Sequence, residues 1–264
     1  MPISTGRVER FSLSALEFDV LVEHLGLEAM PLVLKVPSPG RTDVERADLV
    51  DSAWRSLAAR DLGSATGLDT AVEDALRLLA RPDREVDGRL WLGRGVRVLA
   101  AADDAADRAV LVVKEADRLE FRSAAASGLA REAVSVLPPA VAGPGRSVSL
   151  RSADLDAAAA EAGDGVERLP AALRRRGVRA EDAENLTGMV GEVTAQGQFG
   201  VAARDRLGRR HRGAHTIGTF DNDYGRYLQL RRASPSGELW STVTPADSRQ
   251  LAAHLDELLA TLAG

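Results

Sequence analysis

The chain has 264 residues, 45% of them hydrophobic and 28% charged, with a formal net charge of -5. That composition suits a folded globular protein with a sizeable core and gives no global attraction to nucleic acid. With no cysteine, disulfides, thiolate metal sites and a thiol nucleophile are excluded.

The opening Met1–Arg7 carries no apolar leader segment, and no run reaches the roughly 18 apolar residues of a membrane span, so a cytoplasmic location is expected. Residues 1–8 are expected as a flexible terminus. A strand is predicted at 10–13. Ser14-Ala15-Leu16-Glu17 then fits a capping box, followed by Phe18, Leu21, Val22 and Leu25 on one helical face and by Gly26 as a stop. A short strand at 32–36 and a turn at Pro37-Ser38-Pro39-Gly40 come next. Thr42 and Glu45 suggest a second capping box, for a helix turning Val44, Ala47, Val50, Trp54 and Leu57 inward. A third helix from Thr70 presents Val72, Leu76 and Leu79. After Pro82 the period changes to two: 86–92, 96–100, 109–113 and 119–122 read as an antiparallel meander. A helix at 128–137 ends at Pro138-Pro139.

Residues 141–145 read as a linker, and the chain then replays its order. Ser149-Leu150 repeats Ser12-Leu13, Asp156 repeats Asp19 and Gly163 repeats Gly26, all at an offset of 137, with the helix start slipping from Ser14 to Ser152. Helices are expected near 154–162, 167–176 and 180–189. Strands follow at 190–194, 198–204, 211–220, 226–232 and 238–243. A last helix is capped at Thr244 with Pro245 at its first position and turns Leu251, Leu255, Leu258 and Leu262 to one side. The repeated element order predicts two halves, 9–140 and 146–264, sharing one sheet in one integrated domain.

Catalytic signatures are missing. Neither Lys35 nor Lys114 follows a glycine, so there is no phosphate-binding loop of the Gly-Lys-Ser/Thr type. Gly93-Arg94-Gly95 lies between strands, and Ser234-Pro235-Ser236-Gly237 lacks the leading glycine of a nucleophile elbow. His211 and His215 fall on extended backbone, about 13 Å apart, too far to share a metal. Asp221-Asn222-Asp223-Tyr224-Gly225 reads as a tight turn, since Arg232 occupies the place of a calcium loop's last ligand. No carboxylate pair forms a readable acid–base dyad. No enzyme activity, metal or cofactor is expected. Arg204, Arg206, Arg209, Arg210 and Arg212 surround Leu207-Gly208; this hairpin, 204–212, reads either as a solvated tip or as a site for nucleic acid or another anionic ligand.

Residues 196–210, from Gln196-Gly197-Gln198-Phe199-Gly200 to Arg210, followed by Phe220-Asp221-Asn222-Asp223-Tyr224-Gly225-Arg226-Tyr227, resemble the C-terminal signature of the EspG family, associated with type VII (ESX) secretion in actinobacteria. Leu13-Ser14-Ala15-Leu16-Glu17-Phe18-Asp19-Val20-Leu21, Pro37-Ser38-Pro39-Gly40-Arg41-Thr42 and Leu79-Ala80-Arg81-Pro82 are similar to it as well. The resemblance implies an α+β fold: a central, mostly antiparallel sheet flanked by two helical bundles, in two quasi-two-fold-related halves. It further implies a cytosolic chaperone, without catalytic residues, that holds the helical tip of a PPE or PPE-like protein paired with its PE partner until export. The ESX secretion machinery would be a further partner, nucleic acid and membrane insertion none, and the chain a monomer or weak homodimer. The resemblance places the client on the C-terminal half and the sheet.

Alternation narrows the surface. Phe199, Val201 and Ala203 share one face of their strand, and Gln198, Gly200, Ala202 and Arg204 the other. Leu228 and Leu230 oppose Tyr227, Gln229 and Arg231. With the apolar sets under helices, Gln198, Arg204, Tyr227, Gln229 and Arg231, bordered by Trp240, are the expected partner-binding residues, on an open sheet face.

Overall fold

In the computed structural model, residues 10–27, 30–163 and 165–262 are described; the expected terminus at 1–8 lies outside them. The first half runs β1 (Arg10–Ser14), α1 (Ala15–His24), α2 (Asp43–Ala58), the small hairpin β2 (Gly63–Ser64) and β3 (Gly67–Leu68), and α3 (Thr70–Ala80). Strands β4 (Arg84–Trp91), β5 (Gly95–Asp103), β6 (Arg108–Glu115) and β7 (Arg118–Ala124) and the short α4 (Leu129–Val134) complete it. The second half runs β8 (Val148–Arg151), α5 (Ser152–Ala162), α6 (Leu169–Arg175) and α7 (Ala180–Met189). It continues with β9 (Ala195–Arg204), β10 (Arg210–Arg212), β11 (Ile217–Asn222), β12 (Gly225–Ala233), β13 (Leu239–Pro245) and α8 (Ser248–Ala260).

All strands but β2 and β3 join one antiparallel sheet, in the order β1-β7-β6-β5-β4-β9-β11-β12-β13-β8, with β10 beside β9. Read outward from the central β4–β9 pair, the two sides are the same sequence of elements. The first strand of each half, β1 or β8, is the outer edge, and the meander returns to it. This is the quasi-two-fold arrangement expected of the fold, and the axis passes between β4 and β9.

Side-chain caps explain the starts of α1, α2, α3 and α8. Ser14 and Glu17 close the capping box of α1, Ser14 Oγ accepting from the Glu17 N–H at 3.2 Å and Glu17 from the Ser14 N–H at 2.7 Å. At α2 the cap is one-sided. Thr42 Oγ1 accepts from the Glu45 N–H, while Glu45 accepts from the Arg41 N–H. The first two turns of α2 stand clear of the core, leaving Val44 and Ala47 exposed; Ala53 and Leu57 are the buried positions. For α8 the capping box uses Asp247 and Gln250, not Thr244, because Pro245 still belongs to β13. Ser152 does not cap α5; its hydroxyl is buried against Ser241 at 2.8 Å.

Three expected strands come out differently. Residues 32–36 form a 3-10 turn, Leu32–Leu34, which buries the consecutive Val33 and Leu34 together, something a strand's alternation forbids. Segment 190–194 is a connection, tied down where the Thr194 N–H reaches Asp221 O at 2.8 Å. The expected strand 211–220 is divided into β10 and β11 at 213–216, where Gly213 sits against Val201 too closely for a side chain.

The core has three parts. On one sheet face α4 and α8 pack together over the centre, burying Val86, Val98, Phe199, Val201, Leu228, Leu251 and Leu255. On the other face α1, α2 and α3 cover the first half through Phe18, Leu57, Leu76, Leu99, Val112 and Phe121, while α5, α6 and α7 cover the second through Leu155, Leu173, Leu186, Tyr227 and Val243.

The connection 138–145 is bonded into the fold. The Arg226 N–H donates to Val141 O, and the Gly143 N–H donates to Arg226 O. The Arg226 side chain, 0% exposed, makes a two-pronged pair with Asp221 at 2.7 and 2.8 Å and also donates to Pro138 O. Gly225, at φ +141°, is required there: a Cβ would sit 2.6 Å from Val141 O.

Candidate partner-binding groove

The two helical bundles leave the middle of their sheet face bare. Strands β4, β9 and β11 form the floor of a groove there, with the bundles as its walls. Two cavities open along it, of 840 Å³ and 460 Å³, and Arg89 lines both.

Register fixes what the floor presents. On β4, Glu85, Asp87, Arg89 and Trp91 point into the groove because Val86 and Leu90 are committed to the core beneath α4 and α8. Gln198 lies opposite Arg89 on one side and Gly218 on the other, and Gly218 faces Gln229. Trp91, 54% exposed, neighbours Gln196 across the strand pair. This end of the groove is thus an aromatic ring among arginine and glutamine side chains, a composition suited to reversible protein contact.

The other end is internally neutralised. Glu85 is 3% exposed and Asp87 6%, and buried carboxylates need partners. Arg210 reaches Glu85 and Arg212 reaches Asp87, both crossing β9 from β10. Gly200 makes the second crossing feasible, since a Cβ there would overlap the Arg212 guanidinium. Arg204 donates to Pro82 O at 3.0 Å and to Gly208 O at 2.8 Å. Arg209 and His211 both bind Asp205, whose carboxyl is held well below its ordinary value, first by His211 and then by the Arg209 N–H. Among the described residues only Arg206 of the hairpin arginines has neither an ion pair nor a side-chain hydrogen bond. The 204–212 cluster, read either as a solvated tip or as an anion site, is therefore mostly satisfied from within. His215 lies in the 213–216 break, where burial, reinforced by Arg232, pushes its imidazole below the ordinary value.

The six expected partner-binding residues do not form one surface. Gln198 and Gln229 meet on the groove floor. Arg204 belongs to the other cavity, held by the carbonyls just named. Arg231, half-buried, pairs with Asp156 of α5 at 2.5 Å. Tyr227 corrects the expectation of an open face: it is 0% exposed, stacked on Phe220 with centroids 5.3 Å apart and covered by Gly143 and α5–α7. Trp240 is 39% exposed but lies on the α8 side. It pairs with Arg232 and Arg151, whereas Ser241 and Val243 point to the α5–α7 side. Alternation had the faces right; it carries no information about which face a helix covers. Arg89, Arg97 and Trp91 line the groove without being among the expected residues, although the period-two pattern of 86–92 sets Arg89 and Trp91 opposite Val86 and Leu90.

Residues 14–257 match the family model described as the EspG family. ESX-1 secretion-associated protein EspG1 of Mycobacterium tuberculosis (strain ATCC 25618 / H37Rv) is 29% identical over 262 residues, spanning 92% of this chain and 84% of the relative. The solved structure of the Mycobacterium tuberculosis type VII secretion system chaperone EspG5, in complex with the PE25–PPE41 dimer, superposes with a TM-score of 0.73 at 15% identity, covering 97% of each chain. At that identity the likeness is one of fold.

Proposed function

The chain belongs to the EspG family, and on that premise we propose that it is a chaperone of type VII secretion that holds the tip of a PPE-like protein, paired with a PE partner, in the groove between its helical bundles. The observation that carries the reading is the bare sheet centre, where Trp91, Gln198 and Gln229 are offered beside Val190 and Val193 of the connection that follows α7. An apolar tip left exposed would self-associate, and covering it removes that patch. Release at the secretion machinery requires only moderate affinity. The reading is of a binding protein and not an enzyme, acting in the cytoplasm as a monomer or weak homodimer. It treats 9–140 and 146–264 as duplicated halves of one domain joined at 141–145.

Binding of nucleic acid through the 204–212 hairpin is the weaker reading, because Arg209, Arg210 and Arg212 already have carboxylate partners within the fold. Co-expression tests the main one. A PE–PPE pair from the same genome should elute with this chain as a 1:1:1 complex in size-exclusion chromatography with light scattering. Aggregation of every such pair, unaltered by the chain, would count against it.

A further inference from the structure

Beside Trp91 three cations stand in a row on the groove-side sheet face, running from the floor strand β4 outward to β6. Arg89 of β4 is in register with Arg97 of β5, which is in register with Lys114 of β6. All three share the groove-side face, since Asp87, Leu99 and Val112 lie on it two residues away along the respective strands. Adjacent strands are roughly 4.8 Å apart, so like charges stand directly opposite each other, an arrangement that disfavours the folded state. Among the described residues none of the three has an ion pair; Arg97 only donates to Val96 O at 3.3 Å. The carboxylate best placed to relieve them, Asp87, has both oxygens engaged by Arg212.

Apolar surface adjoins the row. Trp91 follows Arg89 on the same strand face, and the exposed Val193 lines the same cavity. A chain of net charge -5 that keeps three unneutralised cations next to an exposed indole is set up for an anion with an apolar neighbour. We infer that the Lys114–Arg97–Arg89 row recognises a side-chain carboxylate of the client's tip, next to an apolar residue that covers Trp91. A protein carboxylate fits better than a polyanion, because the row is short and the arginines of the adjoining cavity are already engaged, Arg210 by Glu85, Arg212 by Asp87 and Arg204 by backbone carbonyls, so they do not extend it along a phosphate backbone. This inference rests on the proposed function and adds to it the charge the tip must carry.

The test uses PE–PPE heterodimers from the same genome, titrated calorimetrically into the protein at 50 and 300 mM NaCl. Arg89→Gln, Arg97→Gln and Lys114→Gln are examined singly and together, with circular dichroism as the folding control. The triple variant should bind roughly tenfold or more weakly at low salt and lose most of the salt dependence. Neutralising one tip Asp or Glu of the client should reproduce the loss and add nothing to the triple variant. Undiminished binding by the triple and single variants would overturn the inference while leaving the chaperone reading in place. If the wild type binds none of the heterodimers, the chaperone reading fails and the inference with it. A single-stranded oligonucleotide that binds the wild type and not the triple variant would overturn the inference in favour of nucleic acid.

Discussion

The two ends of the groove use the same residue types to opposite effect. Near Pro82, Glu85 and Asp87 are buried and each is matched by an arginine arriving from β10. Near Trp91, Arg89, Arg97 and Lys114 stand side by side without a carboxylate among the described residues. A buried charge must be compensated for the chain to fold, whereas one that water still reaches, exposed like Arg89 or half-buried like Arg97 and Lys114, can be kept for a partner at lower cost. The first end is accordingly structural, tying β10 to β4 across β9, and the second is available. Arg226, locked on Asp221 beneath the 138–145 connection, belongs with the structural pairs, apart from Arg89 and Arg97.

Urea denaturation of point variants tests the contrast between the two ends. The largest loss is expected for Arg226→Met, which leaves Asp221 buried and uncompensated, at about 3–5 kcal/mol; adding Asp221→Asn should recover part of it. Arg212→Ala should cost about 2–3 kcal/mol, less than the first because that guanidinium is partly exposed and water can reach Asp87 in its absence. Gly200→Ala should cost about 1–2 kcal/mol by displacing Arg212 from its carboxylate. Arg89→Gln and Arg97→Gln should stay within about 0.5 kcal/mol of the wild type, with any shift toward greater stability as the opposed charges are relieved. A loss from Arg97→Gln as large as that from Arg212→Ala would make the row structural and erase the contrast.

Much of the fold was legible because it is written locally. Ser14 and Glu17 specify a helix start within four residues, and the alternation at 198–204 specifies which side chains share a face. The repeated order of elements announced two halves. What the sequence could not show is non-local. The pairs Arg210–Glu85 and Arg212–Asp87 each span 125 residues, and nothing in either segment names its partner. Tyr227 reads as an exposed interface residue until the helices over it are known. Trp240 reads as its neighbour until the register with Arg232 puts it on the opposite face. The groove itself follows from strand order: it exists because β4 and β9, the first meander strand of each half and the one farthest from its outer edge, meet at the centre.

The most direct test of the account is whether the groove floor holds the client. Gln198 is exposed at its centre, and Gln198→Trp would fill the space between the helical walls without touching the core. Calorimetric titration of a PE–PPE heterodimer that binds the wild type should show at least a tenfold weaker affinity for Gln198→Trp, with an unchanged circular dichroism spectrum and thermal midpoint. Equal affinity for the wild type and the filled groove would contradict the account and place the client elsewhere on the molecule.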